Sequence, residues 1–206
     1  SNNARSASGA ASLVGGIAFS FGGSDFGFDF NPVSDRIRIV SDADDNVRVN
    51  PNDASVITDG TINPSGINFV VGSAYTNNFA GAATTTLYAL GSVPDALFSQ
   101  NPPNNGTLLN IGPVGVNFLD NVGFDIGPGN LAYASLIAAG TQFSSLYTIN
   151  LNTGAASLIG RIGPNDTNLV VNGISIAPAA SVPEPSAFAL IGLGCGLLAI
   201  RKRRQS

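Results

Sequence analysis

Four oxygen-bearing side chains, Asp42, Asp44, Asn46 and Asp53, fall at positions 1, 3, 5 and 12 of a calcium-loop pattern. Such a loop also needs a central glycine and a closing bidentate glutamate. Val47 stands where the glycine belongs, Asp53 replaces the glutamate, and the run Val47 to Val49 has the alternation of a strand. The segment is therefore expected to be a solvent-exposed hairpin tip with at most weak, millimolar cation affinity, and no cofactor is expected. Two pairs of carboxylates, Asp25 with Asp29 and Asp44 with Asp45, have the chemistry of a general acid and base. Asp29, however, belongs to a segment that recurs: GFDFNP at 27–32 and GFDIGP at 123–128 place Asp29 and Asp125 alike, and GISIAP at 173–178 places Ser175 there. A residue repeated in each unit serves what every unit needs, here a hydrogen bond to a neighbouring turn.

Arg36 and Arg38 alternate with Ile37 and Ile39, so both share one strand face and are expected to form an ion-pair network with Asp29 or Asp35. The loops Tyr75 to Phe79 (YTNNF) and Gln100 to Gly106 (QNPPNNG) collect amides, prolines and aromatics, residue types that pair with sugar hydroxyls and stack on sugar rings. Ordinary turn chemistry selects the same residues.

What is absent narrows the chemistry further. The 206 residues include no histidine, and the one cysteine, Cys195, lies in an apolar stretch near the C-terminus. The usual zinc sites, Ser-His-Asp and Cys-His nucleophiles and any histidine base are thereby excluded. Up to residue 181 there are five Arg and twelve Asp with no Lys and no Glu, a net charge of −7. An acidic domain without a basic stripe cannot neutralise phosphates, so nucleic acid is not an expected partner. The expectation is a non-enzyme; the alternative is a hydrolase that uses Asp residues and a bound cation.

The elements that position these groups read as β-structure. With 44% hydrophobic residues the chain is long enough for one domain with a core. Phe26, Phe28 and Phe30 face one way while Gly27, Asp29 and Asn31 face the other; Ile37, Ile39 and then Val47, Val49 continue the period of two across the turn Ser41 to Asn46. Leu146 to Asn150 and Ala156 to Ile159 flank the turn Leu151 to Gly154 as a second hairpin. SGAASLVG at 8–15 returns as TGAASLIG at 153–160, and the glycine anchors at 27, 123 and 173, with a weaker copy at Gly72 (GSAYTN), divide the chain into units of about 48 residues. Three or four strands per unit predict an all-β, β-propeller-like array, N-terminally incomplete, with a β-sandwich as the alternative.

The C-terminus has another character. Val182, Pro183, Glu184 and Pro185 are held extended by their prolines; Ser186 to Ile200 follows without a charge, about 22 Å as a helix; Arg201, Lys202, Arg203 and Arg204 close the chain. The apolar stretch is short for a permanent span, and its basic end is expected to stay cytoplasmic, leaving 1–181 outside. The expected organisation is a β domain over 1–178, a linker over 179–185, a transmembrane sorting helix over 186–200 and a basic tail over 201–206. An exported chain that starts at Ser1 without a signal peptide is expected to have lost a natural N-terminal segment.

This three-part arrangement resembles the PEP-CTERM tails of Gram-negative, exopolysaccharide-producing bacteria. The resemblance implies an exosortase as partner, transient anchoring in the inner membrane, and release to the cell surface or extracellular matrix, with exopolysaccharide as a further partner. The runs GFDFNPVSDRIRIVSDADDNVRVNP (27–51), AYTNNFAGAATTTLYAL (74–90), QNPPNNGTLLNIG (100–112) and LYTINLNTGAASLIGRIG (146–163) resemble a propeller-like secreted bacterial family catalogued as a domain of unknown function, 4394. That resemblance implies the fold and carries over no catalytic residue. The functional expectation is an exported scaffold or glycan-contact module.

Overall fold

A computed structural model describes residues 12–16, 19–64 and 69–177. The sorting motif, apolar stretch and basic cluster lie outside the described residues, as does the start of the octet 8–15. Among the described residues no helix is long and apolar enough to cross a membrane.

Twelve strands form three four-stranded sheets, each an antiparallel meander in chain order. The first holds β1 (Phe26–Asn31), β2 (Arg36–Ser41), β3 (Asn46–Val49) and β4 (Val56–Thr58). The second holds β5 (Val70–Tyr75), β6 (Leu87–Gly91), β7 (Ala96–Gln100) and β8 (Leu108–Pro113). The third holds β9 (Gly123–Ile126), β10 (Ala132–Leu136), β11 (Ser145–Ile149) and β12 (Ala156–Arg161). Helical structure is limited to single 3-10 turns at Pro103–Asn105 and Pro128–Asn130. The all-β expectation holds. Three separate sheets replace the two of a sandwich, and among the described residues they do not close a ring.

The expected hairpins form with the register set by their alternation. Ile37 pairs with Val49 and Ile39 with Val47, and Ile149 pairs with Ala156. The β3–β4 and β11–β12 turns are built alike: Asn50 Oδ1 accepts the Asn52 amide at 3.1 Å, and Asn150 Oδ1 accepts the Asn152 amide at 2.9 Å. Each turn closes through a residue in the left-handed region, Ala54 (φ 59) and Gly154 (φ 82). The asparagine side chain thus fixes the turn locally.

The sheets meet through their first strands, with β5 between β1 and β9. Here the glycine anchors act. A methyl on Gly27 would stand 2.6 Å from the Ser73 amide nitrogen and 2.8 Å from the Gly72 carbonyl carbon. A methyl on Gly123 would stand 2.7 Å from the Ile174 nitrogen and 2.8 Å from the Gly173 carbonyl carbon. Between these two, Phe124 Cβ lies 3.1 Å from the position a Gly72 Cβ would take. Each glycine admits the strand that follows it, which no side chain would allow. Residues 171–177 are not paired into a sheet, yet they stand to β9 as β5 stands to β1.

The aspartates at the repeated position lock the same approach. Asp29 Oδ2 accepts the Tyr75 amide at 2.6 Å, and Asp125 Oδ2 accepts the Ile176 amide at 2.5 Å. The partner expected for them was a turn; it is the backbone of the next first strand.

The core divides along the same seams. Val71, Ala74, Leu90 and Leu97 pack against Phe124, Ile126, Leu136 and Tyr147 between the second and third sheets. Val40, Ile62, Val70 and Phe98 pack between the first and second. β1 alternates as expected, but its buried side is the Gly27 side: Phe26, Phe28 and Phe30 are exposed. The close approach of β5 fills the glycine face, while on the aromatic face Phe26 meets the edge of Phe21 at 5.8 Å.

Substituting Gly123→Ala forces backbone apart and is expected to cost about 1–3 kcal/mol. Gly160→Ala, whose new methyl meets open space, is expected to leave stability unchanged. Urea unfolding of the two variants side by side checks both.

Candidate functional site

The strongest polar constellation is buried and structural. Arg38, 1% exposed, donates from Nη1 to Asp59 Oδ2 at 2.6 Å and Asn46 Oδ1 at 2.7 Å, and from Nη2 to Asn104 Oδ1 at 2.7 Å. Its Nε donates to the Tyr75 hydroxyl at 3.3 Å. Asp59 also receives both arms of Arg48, at 2.7 and 2.8 Å. A buried guanidinium is tolerable only when its donors are satisfied, and here four side chains from both sheets satisfy them. The expected ion pairs of Arg36 and Arg38 with Asp29 or Asp35 are therefore corrected. Arg38 points to Asp59, 21 residues on, while Arg36 donates to the Asp35 carbonyl. Gln100 and Asn104 are absorbed into this network, Gln100 Nε2 donating to the Pro103 carbonyl at 2.8 Å. The loop 100–106 is thus tied to the network through the buried Gln100 and through Asn104 Oδ1.

The calcium pattern does not assemble. Asp42 Oδ1 accepts the Ser24 and Asp25 amides at 2.9 and 3.2 Å, and Asn46 is buried in the arginine network. Asp53 lies past β3 in another turn, where the Ser55 hydroxyl and amide hold its carboxyl below the usual value. Asp45 Oδ2, outside the pattern, accepts the Gly22 amide at 2.6 Å. Among the described residues no group of three or more carboxylates, cysteines or histidines gathers as a metal site. The turn 42–45 is half-buried under residues 22–25 rather than a solvent-exposed tip, because its carboxylates draw that segment over it.

Asp25 and Asp29 do not form an acid–base pair: Asp25 accepts the Ser24 hydroxyl, while both Asp29 oxygens accept backbone amides, of Phe30 and Tyr75. Burial pushes the Asp29 carboxyl up to about 7, against the Tyr75 amide, which lowers it; the nearby Asp125 charge raises it further.

A cleft of about 490 Å3 opens between the second and third sheets. Its walls include Thr76, Asn77, Tyr88, Asn130, Thr148 and Asn152, and none of its lining residues is charged. Asn77 and Asn130 clasp its base: the Asn77 amide donates to Asn130 Oδ1 at 2.8 Å, and Asn130 Nδ2 returns to Asn77 Oδ1 at 3.1 Å. Half-buried Tyr88 supplies a ring, and exposed Thr86 and Asn152 stand at the lining. Neutral hydroxyls and amides beside one aromatic ring suit hydrogen bonding and stacking with an uncharged polyol. The expected loop Tyr75 to Phe79 contributes Thr76 and Asn77, whereas Tyr75 itself is buried against Arg38. Tyr88, Asn130, Thr148 and Asn152 escaped the sequence reading because they converge from separate segments. The turn asparagines 130 and 152 were the only local signal.

Fold and site together define an all-β domain of four-stranded meanders with a cleft lined by neutral side chains. The chain belongs to the family described as Domain of unknown function (DUF4394), whose model matches residues 3–174, and a PEP-CTERM protein-sorting motif matches 181–204. That motif marks an exported protein, processed by an exosortase and destined for the cell surface or extracellular space. No curated protein matches the chain. Hydrazine synthase of Kuenenia stuttgartiensis is similar in structure at 15% identity and a TM-score of 0.44, over 76% of this chain and 41% of that one.

Two outcomes are expected of this polar chemistry. Asp59→Ala strands the Arg38 charge in the interior and should cost about 3–5 kcal/mol in a denaturant titration. Asp29, its folded pKa raised from 3.8 to about 7, contributes stability that is full below 3.8 and lost as pH rises through about 7. Relative to the native chain, Asp29→Asn should therefore gain stability as pH rises across that window, measured by thermal unfolding at each pH.

Proposed function

We propose that this domain is a non-enzymatic, propeller-like binding module that holds neutral carbohydrate in the cleft between its second and third sheets. Its tail anchors it transiently in the inner membrane of a Gram-negative bacterium until an exosortase removes the apolar segment. The domain then stays at the surface or in the matrix, where exopolysaccharide is the available polyol. The propeller-like reading is supported by the meander order of every sheet and by first strands laid side by side, each with its glycine toward the next. The binding role rests on one observation: a cleft of about 490 Å3 lined by hydroxyls, amides and the Tyr88 ring, with Leu131, Ala132, Ile149 and Leu151 between them and no charged side chain.

For the rival reading, an Asp-based and cation-dependent hydrolase, the described residues offer no group of three converging carboxylates. Asp29 and Asp125 spend their oxygens on backbone amides, and the hollow beside the first strands is lined by Phe28, Val122, Phe124, Gly173 and Ile174 among others.

Calorimetric titration with neutral oligosaccharides tests the binding role. Saturable binding should weaken about tenfold in Tyr88→Ala and in Asn152→Ala, the loss of one stacking or hydrogen-bonding contact each. Absence of binding, or binding indifferent to both changes, would refute it.

A further inference from the structure

The hydrogen-bonding groups around the cleft divide into engaged and open ones. Asn77 and Asn130 hold each other, and Asn77 Nδ2 also donates to the Thr84 carbonyl at 2.9 Å. The Thr76 hydroxyl accepts the Thr86 amide at 2.8 Å, and Asn150 Oδ1 accepts the amides of Asn152 and Thr153. Among the described residues this leaves Asn150 Nδ2, both ends of the Asn152 side-chain amide and the Tyr88 hydroxyl without a protein partner.

Apolar side chains are interleaved with these open amides. Leu151 lies between Asn150 and Asn152, and Ala132 pairs with Ile149 across β10 and β11, so Leu131 and the segment 150–152 leave the sheet side by side. Ala132 and Ile149 belong to the core, whereas Leu131 is 59% exposed at the cleft wall. A plain hexose carries hydroxyls around its ring, and any that are laid on this wall lose water without gaining a partner. A methyl group gains where a hydroxyl loses.

We propose, resting on the carbohydrate reading of this cleft, that it selects neutral sugars bearing an acetamido group, the N-acetylhexosamine units of a glycan. An acetamido group presents an N–H donor, a carbonyl acceptor and a methyl in one plane. Asn152 matches the first two: its Oδ1 accepts the N–H, while its Nδ2 or that of Asn150 donates to the carbonyl. The methyl settles on Leu131 and Leu151, and the Tyr88 ring stacks on the sugar ring. The lining holds no carboxylate, so the ammonium of a deacetylated sugar finds no counter-ion there.

The test is calorimetric titration of the full chain, held in a polyoxyethylene detergent that offers no sugar of its own. Its probes are triacetylchitotriose and cellotriose, trisaccharides of the same linkage that differ only in carrying an acetamido group or a hydroxyl at one position of each ring. The acetylated probe should bind about tenfold more tightly, the low end of what one methyl in an apolar pocket discriminates. Leu131→Ser, a change at an exposed position that leaves folding intact, should bring the two affinities together. Equal affinities in the native chain, or a preference that Leu131→Ser leaves untouched, would overturn this inference and leave the carbohydrate reading standing. Absence of binding by either probe would remove both. An acetylated alanine tripeptide amide that bound more tightly than the acetylated sugar would also overturn it and assign the cleft to peptide.

Discussion

Everything in this domain hangs on the close approach of one first strand to the next. At Gly27 and Gly123 the space for a side chain is taken by another strand's backbone, and at Gly72 by Phe124 Cβ. Such contact needs glycine, and it brings unpaired amides of the next strand within reach of a carboxylate. Asp29 and Asp125 occupy the places from which that reach is possible, two residues after the glycine. One short segment thus supplies both the steric permission and the polar lock. Burial of Asp29 opposes its charged form and outweighs the amide of the lock, which favours that form.

The two seams between sheets are stabilised differently. The second and third sheets meet through aliphatic and aromatic side chains, whose burial needs no partner. The first and second sheets add a guanidinium in the interior, and the orientation of Asn46, Asp59, Gln100 and Asn104 follows from satisfying it. An apolar seam tolerates small slides, whereas a guanidinium with four oxygen acceptors tolerates one arrangement. Gln100 and the Asn104 side-chain carbonyl oxygen of the loop 100–106 are held by that arrangement.

The cleft is a by-product of the same geometry. The gap between the second and third sheets is lined by residues of β6, β10 and β11 and the segments beside them. Its polar lining comes in part from the segments that leave the strands, Thr76 and Asn77 after β5 and Asn150 and Asn152 after β11. Because the charged residues are committed elsewhere, the cleft is neutral.

The sequence by itself determined the local features: strands of period two, the two hairpins across 41–46 and 151–154, and the recurring glycines at 27, 123 and 173. It also determined the sorting tail, since a short motif read by another protein needs no tertiary context. Only the tertiary structure decided which face of β1 is buried, because alternation separates two faces without saying which will be covered. Only it could pair Arg38 with Asp59 and Asn104, disperse the Asp42, Asp44, Asn46 and Asp53 pattern, and gather Tyr88, Asn130 and Asn152 around one cleft. The reason is physical: backbone geometry acts over a few residues and leaves its period in the chain, whereas desolvation acts on whatever the fold brings together, however far apart in sequence.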